Sequence, residues 1–376
     1  MLSLDNIFFG TAIHGAALVV LLFFNAHANR TANRLLAILV ALLTITMWNM
    51  YTLTAQSGQP KRVFDVYIWA IPLLWAPFVY FYIGEMTRQK RVKDQKVLIH
   101  CLPAILLGLA QIPLHFFQDT ANGILITTIL SKTAVVLLFP QVFLYFSLSV
   151  RLLKKYRQNL LEQFSSLEKI NLVWLYVVLG VFSLILLIDY SMNIPATLFN
   201  EARPWFYNWI VLTEALTVYV VGYLSLRQPE IFLGTNSAPD TPNPTIEKYL
   251  NSPIDNTLGT ELADNLDTLM KKKKLFLRND LNLTDLASEM GLAPHHLSQV
   301  INQHRYKNFY DYVNGFRIKY AADFLIANGK TNLTTLAFEA GFNNRVSFNN
   351  AFRKLTNKTP TEFSREYKSS ITKQQH

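Results

Sequence analysis

Residues 283–291 read LTDLASEMG, and residues 333–341 read LTTLAFEAG. Six of the nine positions are identical at an offset of fifty. Leu283, Thr284, Leu286, Ala287, Glu289 and Gly291 return as Leu333, Thr334, Leu336, Ala337, Glu339 and Gly341. Each copy predicts a short helix, a glycine-containing turn and a second helix. The small alanine lets two helices approach closely, and the glycine supplies the positive φ that a tight interhelical turn needs. This is helix-turn-helix chemistry.

The second helix of each copy divides into two faces. The inner face is Leu297, Val300 and Ile301 in the first copy, and Phe348, Phe352 and Leu355 in the second. Leu297 matches Phe348 at an offset of 51, so the second turn carries one extra residue. The opposite faces carry His295, Ser298, Gln299 and Asn302, then Arg345, Asn349, Asn350 and Arg353. Arginine suits the major-groove edge of guanine, and asparagine or glutamine that of adenine. One such face reads equally well as a solvated surface. Two of them on matched helix pairs favour base contact.

Between the copies, Phe309 to Ala327 reads as one helix, with Tyr312, Phe316, Tyr320 and Leu325 as its core candidates. At 1.5 Å per residue it spans roughly 28 Å. Adjacent major grooves on one face of B-DNA lie about 34 Å apart, so this helix can hold two readers in two grooves. Residues 281–376 carry 12 basic and 7 acidic side chains, a net of +5, which implies a measurable salt dependence of DNA binding.

Working upstream, Leu258, Leu262, Leu266, Leu269 and Met270 recur at helical spacing, and Lys271 to Lys274 close that helix. Cations at a helix C-terminus complement the macrodipole; phosphate or anionic-leaflet contact is the other reading. The leucine stripe serves packing within the domain or a homodimer seam, for which it is short. Before it, residues 228–246 hold Pro229, Pro239, Pro242 and Pro244 and read as a linker.

The front of the chain differs in kind. The whole protein has 376 residues, 51% apolar and 16% charged, with a net charge of +10. A soluble domain carries about 25% charged residues. Residues 1–227 hold 17 basic and 10 acidic side chains, whereas the shorter remainder, 228–376, holds 18 and 15. Spans of roughly 20 apolar residues cross a bilayer. Seven are predicted, near 6–28, 33–54, 65–86, 97–117, 126–150, 171–191 and 205–226. The loops on one side carry 13 Lys and Arg, those on the other four, so the positive side is cytoplasmic. The N-terminus is then outside and the C-terminal domain inside, with a multi-pass protein in the inner membrane. The first apolar stretch is read as a retained span, being too long for a signal peptide's apolar region.

Polar groups within spans are costly and therefore functional suspects. His14, Lys132, Asp189 and Glu214 are the candidates, either as an interhelical clamp or as the wall of a signal pocket. Pro72, Pro77, Pro103, Pro113 and Pro140 remove backbone donors from their helices.

The C-terminal part resembles the AraC/XylS family of bacterial transcription regulators over about residues 260–368. The resemblance rests on LTDLASEMGLAPHHLSQVIN, on the connecting NFYDYVNGFRIKYAADFL, and on TTLAFEAGFNNRVSFNNAFRKLTNKTPTEF. It implies two helix-turn-helix motifs acting as one reader of double-stranded promoter DNA. By motif position, it places base contacts on His295, Ser298 and Gln299, and on Arg345, Val346, Asn349 and Asn350. Val346 can offer a thymine methyl only a nonpolar contact. Ala293 stands where similar sequences carry a Ser or Thr helix cap. The family's usual soluble sensor half is replaced here by the apolar spans.

The expected fold class is all-α: a seven-helix membrane bundle, then a soluble domain with two helix-turn-helix motifs joined by a long helix. The domains are 1–227 (membrane sensor), 228–257 (linker), 258–370 (DNA reader) and 371–376 (tail). The expected function is a membrane-anchored regulator whose bundle senses an unidentified small molecule or membrane signal. The alternative is a transporter or receptor-like protein with a DNA-binding regulatory tail; it rests on Lys132, Asp189 and Glu214 alone. No enzyme motif is present: there is no HExxH, phosphate loop or nucleophile elbow. Cys101 is the single cysteine, which excludes a disulfide framework, and His295, His296 and His304 lack a carboxylate or thiol to complete a metal set. No cofactor and no metal are expected.

Overall fold

A computed structural model describes residues 4–24, 30–55, 70–87, 97–113, 117, 120–167, 175–177, 179–184, 212–213, 215–220, 255–328 and 331–374. Among these the chain is helical, with one isolated antiparallel bridge between Phe164 and Asn282. It forms two compact units. The first comprises 1–156 with 172–238, and the second 157–171 with 239–376.

The first unit contains α1 (Leu4–Phe24), α2 (Arg30–Ala55), α3 (Pro72–Met86), α4 (Val97–Gln111) and most of α5 (Ala121–Gln163). Three described helices are long and apolar enough to cross a membrane: Asn6–Phe24, Arg30–Asn49 and Ala121–Gln163. Apolar side chains also point outward: Phe24, Leu98 and Phe143 are each more than 70% exposed. The hydroxyls of Thr44, Thr46, Thr127 and Thr128 each donate to the carbonyl four residues back, so these polar groups are satisfied within their own helix. Pro77 lacks the amide that would bond the Leu73 carbonyl in α3; Gln141 of α5 donates to that carbonyl instead, at 2.9 Å.

The helix expected near 97–117 ends at Gln111. The helix expected to stop at 150, where charges begin, continues to Gln163, because Leu152, Leu153 and Leu160 remain buried. The spans near 171–191 and 205–226 lie largely outside the described residues, as do the start of the span near 65–86 and the linker up to residue 254.

The second unit contains α6 (Asn256–Lys273), a single 3-10 turn (Leu275–Leu277), α7 (Leu283–Glu289), α8 (Pro294–His304), α9 (Phe309–Asn328), α10 (Leu333–Glu339), α11 (Arg345–Thr356) and α12 (Pro360–Gln374). Asparagine starts both repeats: Asn282 caps α7 and Asn332 caps α10, each accepting from backbone amides two or three residues on. Both motifs then close alike. Gly291 has φ +67° and Gly341 φ +88°, and the amides of Leu292 and Phe342 donate to Ala287 and Ala337, each at 2.9 Å.

Each motif has its own core, and α9 serves both. Its Phe309, Tyr312 and Val313 pack with Leu266, Met270, Leu286, Leu297 and Ile301. Its Ile318, Ala321 and Leu325 pack with Leu336, Ala337, Phe342, Phe348 and Phe352. Of the expected core positions, Phe316 and Tyr320 are half-buried. Leu355 is exposed, since the last turn of α11 runs past the core and Phe363 of α12 closes it against Phe352. Leu258, the first residue of the leucine stripe, is also exposed, whereas Leu266 and Met270 are buried.

Candidate nucleic-acid interface

The two second helices, α8 and α11, are the candidate readers. Their apolar residues seat them on the two cores described above, which leaves their polar faces turned away from those cores. Their ends are built differently. Asn344 caps α11 by accepting from the Ser347 amide at 2.8 Å. Ala293 starts α8 with extended backbone and no side-chain cap. Introducing the missing acceptor with Ala293→Ser should stabilise the start of α8 by about 0.5–1 kcal/mol, read as slower hydrogen exchange at the His295 amide. Exchange that is unchanged or faster there would refute it.

The faces also differ. On α11, Arg345, Val346, Asn350 and Arg353 are exposed and Asn349 is half-buried. The Asn349 Oδ1 is buried and accepts no hydrogen bond. On α8, His295 is exposed, Asn302 is half-buried, and Ser298 and Gln299 are only 5% and 3% exposed. Gln299 donates to Gln303 at 3.0 Å within the helix. Asn302 donates to Glu162 at 3.1 Å, and its amide also reaches the Ser298 hydroxyl at 3.4 Å. Burial pushes the Glu162 carboxyl up from its ordinary range; the bond from Asn302 pulls against that, and the charge of Asp311 adds to the rise.

A polar network ties α8 to its neighbours. Arg305, just past the end of α8, reaches Asp264 at 2.6 Å and Asp267 at 3.0 Å, both on α6. Tyr312 of α9 donates to the other oxygen of Asp267 at 2.7 Å. Burial first, and then that bond, push the Tyr312 ionisation well up, so the hydroxyl stays a donor. Lys273 pairs with Glu289 at 2.6 Å, so one cation of the 271–274 run joins α6 to α7.

At the centre of the unit lies Arg317, wholly buried in the middle of α9. Its guanidinium donates to the carbonyls of Phe276 at 2.7 Å, Arg278 at 2.6 Å and Ser165 at 3.0 Å, to the Ser165 hydroxyl at 3.1 Å and to Asn314 at 3.2 Å. It lies over the Phe342 ring, 5.5 Å from the centroid. All its donors point at fixed acceptors, which is how a buried cation is tolerated.

Sequence reading named neither Arg317 nor the 162–166 segment. The signal for Arg317 is a charge between Val313 and Ala321 on the buried stripe of α9. No comparable pattern marks Glu162 or Ser165. Of the membrane candidates, His14 shares a 2.8 Å hydrogen bond with Tyr219, and Lys132 is half-buried on α5. Asp189 and Glu214 lie outside the described residues.

Residues 286–366 match the family described as a helix-turn-helix domain. The chain is 27% identical over 92 residues to the HTH-type transcriptional regulator GlxA of Rhizobium meliloti (strain 1021), across 24% of this chain and 28% of that protein. It is 32% identical over 91 residues to an uncharacterized HTH-type transcriptional regulator of Pseudoalteromonas carrageenovora, covering 24% of this chain and 53% of the relative. A further uncharacterized HTH-type transcriptional regulator, from Staphylococcus aureus (strain COL), is 29% identical over 90 residues, 24% of this chain and 12% of its own length. The likeness thus spans at most about half of these relatives and is confined to the helix-turn-helix part of this chain. No solved structure matches.

Proposed function

We propose that this protein is a membrane-anchored, sequence-specific transcription regulator of AraC type. The second unit reads promoter DNA through α8 and α11. The first unit, with seven spans and an outside N-terminus, fixes the reader at the cytoplasmic face of the inner membrane and conveys a signal to it. The observation that carries the reading is α11. It presents Arg345, Val346, Asn350 and Arg353 to solvent from a helix capped by Asn344 and seated on its own core. Relatives named as HTH-type transcriptional regulators support it. Three long apolar helices with exposed apolar faces support the anchor. A signal acts only by binding two states of the bundle with different affinity.

The test uses the full chain in lipid nanodiscs, presented with a random-sequence duplex library. Enrichment of a defined sequence at physiological salt is expected; recovery of no preferred sequence would sink the reading. On the selected duplex, Arg345→Ala should cost about 1–3 kcal/mol and relax the preference at one base pair. A uniform loss over all sequences would instead make Arg345 a phosphate contact.

A further inference from the structure

A short segment at the end of α5, residues 162–166, belongs to the second unit and touches both helix-turn-helix motifs. Ser165 is 1% exposed. Its amide and hydroxyl both donate to the Leu281 carbonyl, and its own oxygens accept from Arg317. Ser166 accepts from Asn343 at 2.6 Å, in the turn that leads into α11. Glu162 accepts from Asn302 of α8 at 3.1 Å, and the Asn302 amide also reaches the Ser298 hydroxyl at 3.4 Å. One of the four side chains of α8 expected to meet base edges, Asn302, is therefore engaged by that carboxylate, and Ser298 and Gln299 beside it are buried.

We propose that residues 162–166 are an autoinhibitory clamp that occupies the DNA-reading face of α8. The proposal rests on the assignment of α8 as a DNA reader. Mutual exclusion follows from chemistry. Asn302 cannot give the same amide proton to Glu162 and to a base. A carboxylate held at that face also repels the phosphates that must flank it. The second copy supplies the contrast, because Arg345 and Asn350 on α11 stay exposed while Ser298 and Gln299 on α8 do not. Glu162 lies in the last turn of a helix that begins at Ala121 in the first unit, so a movement of that helix end is a direct way to release α8.

The experiment compares wild type, Glu162→Ala and Glu162→Gln as full chains in nanodiscs on the library-selected duplex. The alanine variant should bind roughly ten- to a hundredfold more tightly, the size of a lost hydrogen bond to a charged group. The glutamine variant, which keeps an acceptor but loses the charge, should gain several-fold. Without DNA, amide exchange across 299–303 should accelerate in the alanine variant. If the alanine variant fails to fold, the glutamine variant decides alone. Equal or weaker binding by the folded variants overturns the clamp and makes the segment a brace, while selection by wild type still upholds the reader. Absence of selection by every form refutes the reader and the clamp with it.

Discussion

Alanine at position 341 should destabilise the second unit by about 2–5 kcal/mol, whereas alanine at the matching position 291 should cost only about 1–2 kcal/mol. Both glycines sit at positive φ, so each substitution carries the left-handed penalty. They differ in what a methyl group would meet. At Gly341 a Cβ would stand 2.7 Å from the Phe276 carbonyl oxygen and 2.8 Å from that of Leu277. These are backbone atoms, and the Phe276 carbonyl is held at 2.7 Å by Arg317, so neither can yield cheaply. At Gly291 nothing lies within 4 Å. Hydrogen exchange over the α11 core amides, in the full chain, measures the first; the same readout over α8 measures the second. Equal costs for the two variants would show that the turn conformation alone, and not the approach of the 275–277 turn, demands glycine at 341.

Arg317→Met should cost about 3–5 kcal/mol, the range for removing one partner of a buried charged network. Methionine fills much of the volume but leaves the carbonyls of Phe276, Arg278 and Ser165 without their donor. Arg317→Lys should recover little, because one ammonium cannot span acceptors arranged for a planar fork. The loss should appear as faster exchange at 276–283 and as release of residues 164–166. A lysine variant as stable as wild type would show that a point charge suffices and that the fork geometry does not matter.

The repeat at offset fifty made the two motifs legible, since identical leucine, alanine and glycine positions impose identical turns. The apolar positions of α8, α9 and α11 were legible for the same reason: Leu297, Phe348 and Tyr312 fall at helical spacing, and each is buried. Leu355 followed the same rule and failed, because periodicity describes a helix face and not where the core beneath it ends. The bond from Asn302 to Glu162 could not be read at all. Glu162 is 140 residues from Asn302, and nothing local in either segment records the pairing. The end of α5 was misplaced for a different reason. Charges beginning at Arg151 mark where apolar surface stops, but a helix needs only its backbone bonds and one buried stripe to continue.

The bonds between Ser165 and Arg317 have a consequence for how the chain is assembled. The helix-turn-helix part is not a cassette that can be cut out and grafted elsewhere, because part of its interior is supplied from far upstream. A transplant of residues 258–370 would carry Arg317 away from two of its acceptors. On the ribosome the order of events is set as well. Residue 165 is made long before residue 317, so the upstream segment must wait, undocked, until α9 emerges and closes the ring of chain between them.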